Sequence, residues 1–253
     1  MKLHVDVSGM GPDLVLLHGW GIDATVWNEL AAALAPAFTV HRIDSPGYGA
    51  ARGSPPMTPD DMVHALAESM PARVIVAGWS LGAQVALAWA ARGRAQVTKL
   101  ILISATPRFV NTQGWMHGVD AAVFDSFATT VERDTAAALG RFASLQAAGD
   151  AQAHTVLRML RQRALAPPLP DTVTLLTGLR ALAETDWRGR LQHIHQPSLL
   201  LHGERDELVP LAAAQSLASE LPSARLVRLP QAAHAPFLPR ADCVARHIHE
   251  FLS

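Results

Sequence analysis

The sequence predicts an α/β protein organised around one mostly parallel sheet flanked by helices, and three observations carry that expectation. Short runs rich in Val, Ile and Leu alternate with longer Ala-rich amphipathic stretches, the pattern of strands buried on both faces and joined by crossover helices. Each apolar run ends abruptly in polar or glycine-rich residues, where the strands of an open sheet deliver loops to a ligand site. The 253 residues, 49% hydrophobic and 17% charged, suffice for a sizeable core and argue against wholesale disorder.

The first run, Leu14 to Leu17, passes into Leu17-His18-Gly19-Trp20-Gly21. Such a His-Gly loop turns a backbone N–H, that of Trp20, toward a reacting oxygen; a plain glycine turn is the alternative. His18 fits bracing of the loop better than catalysis. The second run, Phe38 to Ile43, leads into Asp44-Ser45-Pro46-Gly47-Tyr48-Gly49, a turn without the Lys-Ser/Thr pair of a phosphate loop. The third, Val74 to Ala77, is followed by Gly78-Trp79-Ser80-Leu81-Gly82 and the helix-like run Ala83 to Ala91. Val74 to Ala91 is uncharged and long enough for a membrane span, but Gly78, Ser80, Gly82 and Gln84 divide it into a strand and a helix.

Leu100 to Ile103 is the fourth run. From about Pro107 to Gln196 the strand signal gives way to helical stretches, broken at Pro167, Pro168 and Pro170. This pattern predicts a helical insertion over residues 108–190, with 1–107 and 191–253 forming the core. Ser198 to Leu201 then leads into His202-Gly203-Glu204-Arg205-Asp206, and Arg225 to Leu229 into Ala232-Ala233-His234-Ala235-Pro236-Phe237, ahead of a last amphipathic segment.

G-x-S-x-G between a strand and a helix puts Ser80 on a tight turn at a helix N-terminus, where the Leu81 N–H faces a developing oxyanion. A helix-capping serine is the bland reading of the same residue. A serine hydroxyl is a weak nucleophile until a base takes its proton, and the base must be oriented by a carboxylate. Of twelve histidines, His234 has the most suitable place, in the loop after the last strand. Asp206 is the expected acid, with Glu204 as an alternative. His193-x-His195 and His247-x-His249 lack the cysteines or convergent carboxylates of a metal centre, so no metal and no cofactor are expected.

Twenty-one Lys and Arg against 22 Asp and Glu leave a net charge of −1, without the global basic footprint of a nucleic-acid or anionic-membrane binder. One cysteine, Cys243, expected to be a buried small hydrophobe, excludes an intrachain disulfide framework. No targeting segment is read in Met1 to Gly11. A cytoplasmic monomer is the expectation.

The chain resembles the pimeloyl-[acyl-carrier protein] methyl ester esterase family of α/β-hydrolases, which acts in biotin synthesis. The resemblance rests on the His18, Asp44, Ser80 and His234 motifs quoted above and on Arg141-Phe142-Ala143-Ser144-Leu145-Gln146 in the insertion. It implies nucleophile Ser80, acid Asp206 and base His234, Trp20 and Leu81 at the oxyanion, Phe142 to Gln146 along the substrate channel, and a lid made by the insertion. Ala83 stands where a third glycine is common in the family, and Ala137 and His154 occupy lid positions that are often basic. Acyl carrier protein is the implied partner. Trp20, Trp79, Leu81, Phe142 and Leu145 are expected to form the apolar channel. If Ala153 to Leu165 is helical, His154, Arg158 and Arg161 fall within about 60° of one another at roughly 100° per residue. With Arg141 they would make a basic face for the carrier, Arg163 pointing elsewhere. A general short-chain carboxylesterase, a carbon-carbon bond hydrolase and a slow-turnover ligand sensor are the competing readings.

Overall fold

The computed structural model describes residues 3–93 and 95–253. The described residues form a seven-stranded sheet in the order β1-β3-β2-β4-β5-β6-β7. Its strands are β1 His4–Ser8, β2 Asp13–Leu17, β3 Thr39–Asp44, β4 Val74–Trp79, β5 Val97–Ile103, β6 Ser198–Gly203 and β7 Ala224–Leu229. Only β1 is antiparallel, pairing with β3; the other neighbours are parallel. The helices beside the sheet are α1 Asn28–Leu34, α2 Pro59–Ser69, α3 Leu81–Arg92, α8 Leu211–Glu220 and α9 Ala241–Leu252.

Alternation along the strands divides the core into two layers, because successive side chains leave opposite faces. Leu14, Leu16, Ile75, Ala77, Ile101, Leu199 and Leu201 pack with Leu30 and Leu34 of α1 and Val244 and Ile248 of α9. Val15, Leu17, Val74, Val76, Leu100, Leu102 and Leu200 pack with Leu66 of α2, Leu87 and Trp89 of α3, and Leu217 of α8. Both faces are covered, so the central strands read as continuous apolar runs. The edge strand β1 has no continuous apolar run for the converse reason: Val5 and Val7 are its only apolar residues, and its partner lies on one side alone. The strand β5 begins three residues earlier than the apolar run, since Thr98 and Lys99 are only half-buried.

Between β5 and β6 the chain forms α4 Ala121–Arg133, α5 Thr135–Ala147, α6 Ala153–Ala164 and α7 Thr172–Glu184. Their starts are set locally. Asp120, Asp134 and Asp171 each accept a first-turn backbone N–H, satisfying donors that a helix leaves unpaired. Pro167, Pro168 and Pro170 fall between α6 and α7. A third apolar cluster, including Trp20, Phe109, Phe124, Leu139, Phe142 and Leu179, joins these helices to the carboxyl end of the sheet. Strand order reverses between β2 and β4, and loops leaving their carboxyl ends diverge there to leave a crevice. Both the Trp20 loop and the Ser80 turn start at this point.

Candidate active site

Ser80 connects β4 directly to α3 with φ 54° and ψ −114°, a conformation costly for a residue with a Cβ. Two close approaches hold it. A Cβ on Gly78 would lie 2.3 Å from the Gly82 carbonyl oxygen, and one on Gly82 would lie 2.2 Å from the Leu17 oxygen. The glycines of the motif are therefore required by backbone contact, and the turn projects Ser80 beyond the sheet. Ala83 is fully buried in the layer with α2 and α8.

His234 Nε2 lies 3.0 Å from Ser80 Oγ and His234 Nδ1 lies 2.8 Å from Asp206 Oδ2. The carboxylate has no proton to donate, so Nδ1 carries the hydrogen and Nε2 is left to accept from Ser80. Asp206 Oδ1 accepts the Leu208 and Val209 N–H groups at 3.0 and 2.8 Å, which fixes the carboxylate before it meets the imidazole. His202 lies beneath it, donating from Nε2 to the Val209 carbonyl at 2.8 Å. Burial lowers the His202 pKa, against the opposing pull of Asp206, and favours the neutral ring. Glu204, the alternative acid, instead faces Arg228 at 3.7 Å on the surface.

The Trp20 and Leu81 backbone N–H groups have no hydrogen-bond acceptor among the described residues. Two open donors beside the Ser80 hydroxyl are the arrangement that an oxyanion would require. The loop that presents Trp20 is braced: His18 Nδ1 donates to the Gly19 carbonyl at 2.8 Å, and Nε2 accepts the Ser45 N–H at 3.0 Å. Burial lowers the His18 pKa, in keeping with an Nε2 that accepts. Asp44 receives the Ala24 and Ala50 N–H groups, each at 2.9 Å, so the second turn buttresses the first. Trp20 Nε1 donates to the Leu175 carbonyl at 2.8 Å, joining this loop to α7.

Five consecutive residues of α5 cannot face one channel, and Phe142 to Gln146 diverge. Phe142 packs edge-on against Trp20 at 4.9 Å and lies between two cavities. One is lined by Trp20, Ala143 and Gln146; the other by Phe124, Phe127, Arg141, Leu145 and Leu179. Leu145 is 41% exposed, placing it at a rim. Ser144 turns away from the cavities, donating to the Gly140 carbonyl and accepting from Arg161. The expected channel must also be corrected at Trp79. Its ring is buried against Trp27 and Phe237 and its Nε1 donates to the His234 carbonyl at 2.8 Å, so it supports the His234 loop from below. Leu81 lines a further pocket with Met57, Met62 and Gly178.

On α6, His154, Arg158 and Arg161 are exposed, while Val156, Leu160 and Ala164 are buried. Arg163 points elsewhere and meets Glu29 at 2.5 Å. Arg141 is exposed on the neighbouring α5. Cys243 is half-buried, where full burial was expected, because it lies at the margin of the apolar face of α9. No group of three or more potential ligands converges among the described residues, and no described helix is long and apolar enough to cross a membrane.

The fold and the site define an α/β hydrolase, and a family model described as alpha/beta hydrolase fold matches residues 12–241. The pimeloyl-[acyl-carrier protein] methyl ester esterase of Stenotrophomonas maltophilia is 42% identical over 252 residues, 99% of this chain and 96% of that protein. That of Nitrosomonas europaea is 39% identical over 237 residues, 94% of each chain. The esterase EaEST from Exiguobacterium antarcticum has the same fold, with a TM-score of 0.87 at 21% identity over 99% of this chain and 96% of that one. The chain belongs to the pimeloyl-[acyl-carrier protein] methyl ester esterase family.

Proposed function

We propose that the protein is a serine carboxylesterase that hydrolyses the methyl ester of pimeloyl-acyl-carrier protein to pimeloyl-acyl-carrier protein and methanol, in biotin synthesis. The observation that carries the reaction class is the continuous chain from Ser80 Oγ through His234 to Asp206. The substrate follows from the name shared by relatives that match nearly the whole chain.

Ser80 Oγ attacks the ester carbonyl as His234 Nε2 takes its proton, and the oxyanion is held by the Trp20 and Leu81 N–H groups. His234 returns that proton to the methoxy oxygen, and methanol leaves an acyl-enzyme. Water attacks next, giving a proton to His234; collapse then frees the carboxylate and restores the serine. Protein groups and water suffice for these steps. Asp206 orients the imidazole and stabilises its cation. The thioester to the carrier stays outside this geometry and survives.

In this reading residues 1–107 and 191–253 are the catalytic core and 108–190 a lid, whose ends are tied by Arg108 and Asp186 at 3.3 Å. The acyl chain runs past Trp20, Leu81 and Phe142, with Leu145 at the rim of the cavity on one side of Phe142 and Ala143 and Gln146 backing the other side. Ser144 contributes by seating Arg161. Arg141, His154, Arg158 and Arg161 form the face that meets the acidic carrier, steering its approach. The protein acts as a cytoplasmic monomer, a placement that one cysteine suits.

The test compares kcat/KM on a carrier-bound methyl pimeloyl ester with that on free methyl esters, for wild type and Ser80→Ala. A preference for the carrier-bound ester, abolished in Ser80→Ala, is expected. Equal specificity constants for both substrates would reduce the function to a general short-chain carboxylesterase.

A further inference from the structure

The turn joining α5 to α6 reaches back to the loop that carries the proposed base. Asp150, at its centre, has a fully enclosed side chain. One of its oxygens, Oδ2, accepts the N–H of Ala233, the residue before His234, at 2.9 Å. Arg240, beyond His234 in sequence, closes over the same carboxylate with two bonds of 2.7 and 3.0 Å. Burial alone would raise the Asp150 pKa, but the Arg240 guanidinium and the Gln152 and Ala233 N–H groups outweigh it and lower the value, keeping the anion. An enclosed carboxylate with a bidentate partner is a rigid anchor, because removing one partner strands the other.

Backbone contacts repeat the connection. The His234 N–H donates to the Gln146 carbonyl at 3.3 Å and the Ala151 N–H to the Gln231 carbonyl at 2.9 Å. Gln231 has φ 61°, a conformation that needs support in a non-glycine residue. The acid loop is touched as well: a Cβ on Gly149 would lie 2.4 Å from the Arg205 carbonyl oxygen, next to Asp206. The Arg205 N–H in turn donates to the Ala232 carbonyl at 2.9 Å. One turn of the insertion thus abuts the loops bearing both the proposed acid and the proposed base.

We propose that Asp150 is a positioning residue for His234. With Arg240 it clamps the base loop to the insertion, so that the α5–α6 turn sets the placement of the imidazole between Ser80 and Asp206, in addition to any covering role of the helices. A shift of about 1 Å at a catalytic group can cost on the order of 100-fold in rate, so loss of the clamp is read in kcat. The inference rests on the Ser80–His234–Asp206 reading above.

The experiment uses the full chain and a small free methyl ester, which has no carrier to dock. Asp150→Ala should lower kcat per folded molecule at least tenfold with KM within twofold of wild type, folding being checked by near-UV circular dichroism. A role confined to stability would lower the unfolding midpoint and leave kcat unchanged. Should Asp150→Ala not fold, Asp150→Asn keeps the shape but weakens the bidentate pair, and at least a threefold fall in kcat is expected. A folded variant with kcat within twofold of wild type overturns the inference. Ser80→Ala is run in parallel: full activity there removes the triad reading itself, whereas an inactive Ser80→Ala beside a normal Asp150 variant removes only the clamp.

Discussion

The carboxyl edge of the sheet and the inserted helices both surround Ser80, yet they are built by different rules. At the sheet edge, each functional group sits within a few residues of a strand end, and backbone contacts such as Gly82 against Leu17 dictate its position. In the insertion, capping aspartates and apolar spacing make the helices, but which face a residue serves depends on what packs beside it. At the edge, Gly78 and Gly82 leave no room for a Cβ, whereas in the inserted helices the exposed positions such as Arg158 and Arg161 are free of such backbone contacts.

The most severe way to break this contrast is at the edge. Ser80→Ala should reduce turnover on the order of 10⁶-fold with a native fold, and a phosphonate probe located by mass spectrometry should label Ser80 in wild type and nothing in the variant. Retained turnover would end the mechanism. Asp206→Asn should reduce kcat on the order of 10⁴-fold, through loss of the tautomer that leaves Nε2 free, whereas Glu204→Gln should be near neutral. The reverse ranking in a kcat assay would transfer the acid role to Glu204.

Within the insertion the effects should be smaller and selective. Each methylene buried along Phe142 is worth about 0.8 kcal/mol, close to fourfold in kcat/KM. Wild type should therefore show specificity rising with acyl length toward medium chains, and Phe142→Ala should flatten that rise while lowering stability by about 3–5 kcal/mol. An unchanged chain-length profile in the folded variant would assign Phe142 to packing alone. Arg158→Glu with Arg161→Glu should lower kcat/KM about tenfold for carrier-bound ester at low salt, less at high salt, and leave free esters unaffected. Equal activity on both substrates would leave these arginines as solvated charge.

The junction between the regions gives the smallest effect, in stability against pH. The pKa of Asp150 is lowered on folding, so its contribution is full above the ordinary carboxylate pKa of about 3.9 and is lost as pH falls through the depressed value. Urea unfolding should find wild type more stable than Asp150→Asn at neutral pH, the gap closing below about pH 4. A gap independent of pH would mean that the ionised carboxylate contributes nothing.

Local chemistry made the central sheet and the Ser80 turn legible in the sequence: two-sided burial leaves unbroken apolar runs, and Gly78 and Gly82 mark a turn with no room for a Cβ. The sequence likewise put His234 and Asp206 at strand ends, but left Glu204 open, since two residues of spacing cannot say which carboxylate reaches the imidazole. Tertiary structure decided that through the Leu208 and Val209 N–H groups, which seat Asp206. It also sent Trp79 beneath the His234 loop, divided Phe142 to Gln146 among several faces, and brought Asp150 to Ala233 across 83 positions of chain. Periodicity reports how a residue lies relative to its neighbours along one helix or strand. Which other element covers that face depends on how the chain closes on itself, and no local pattern encodes it.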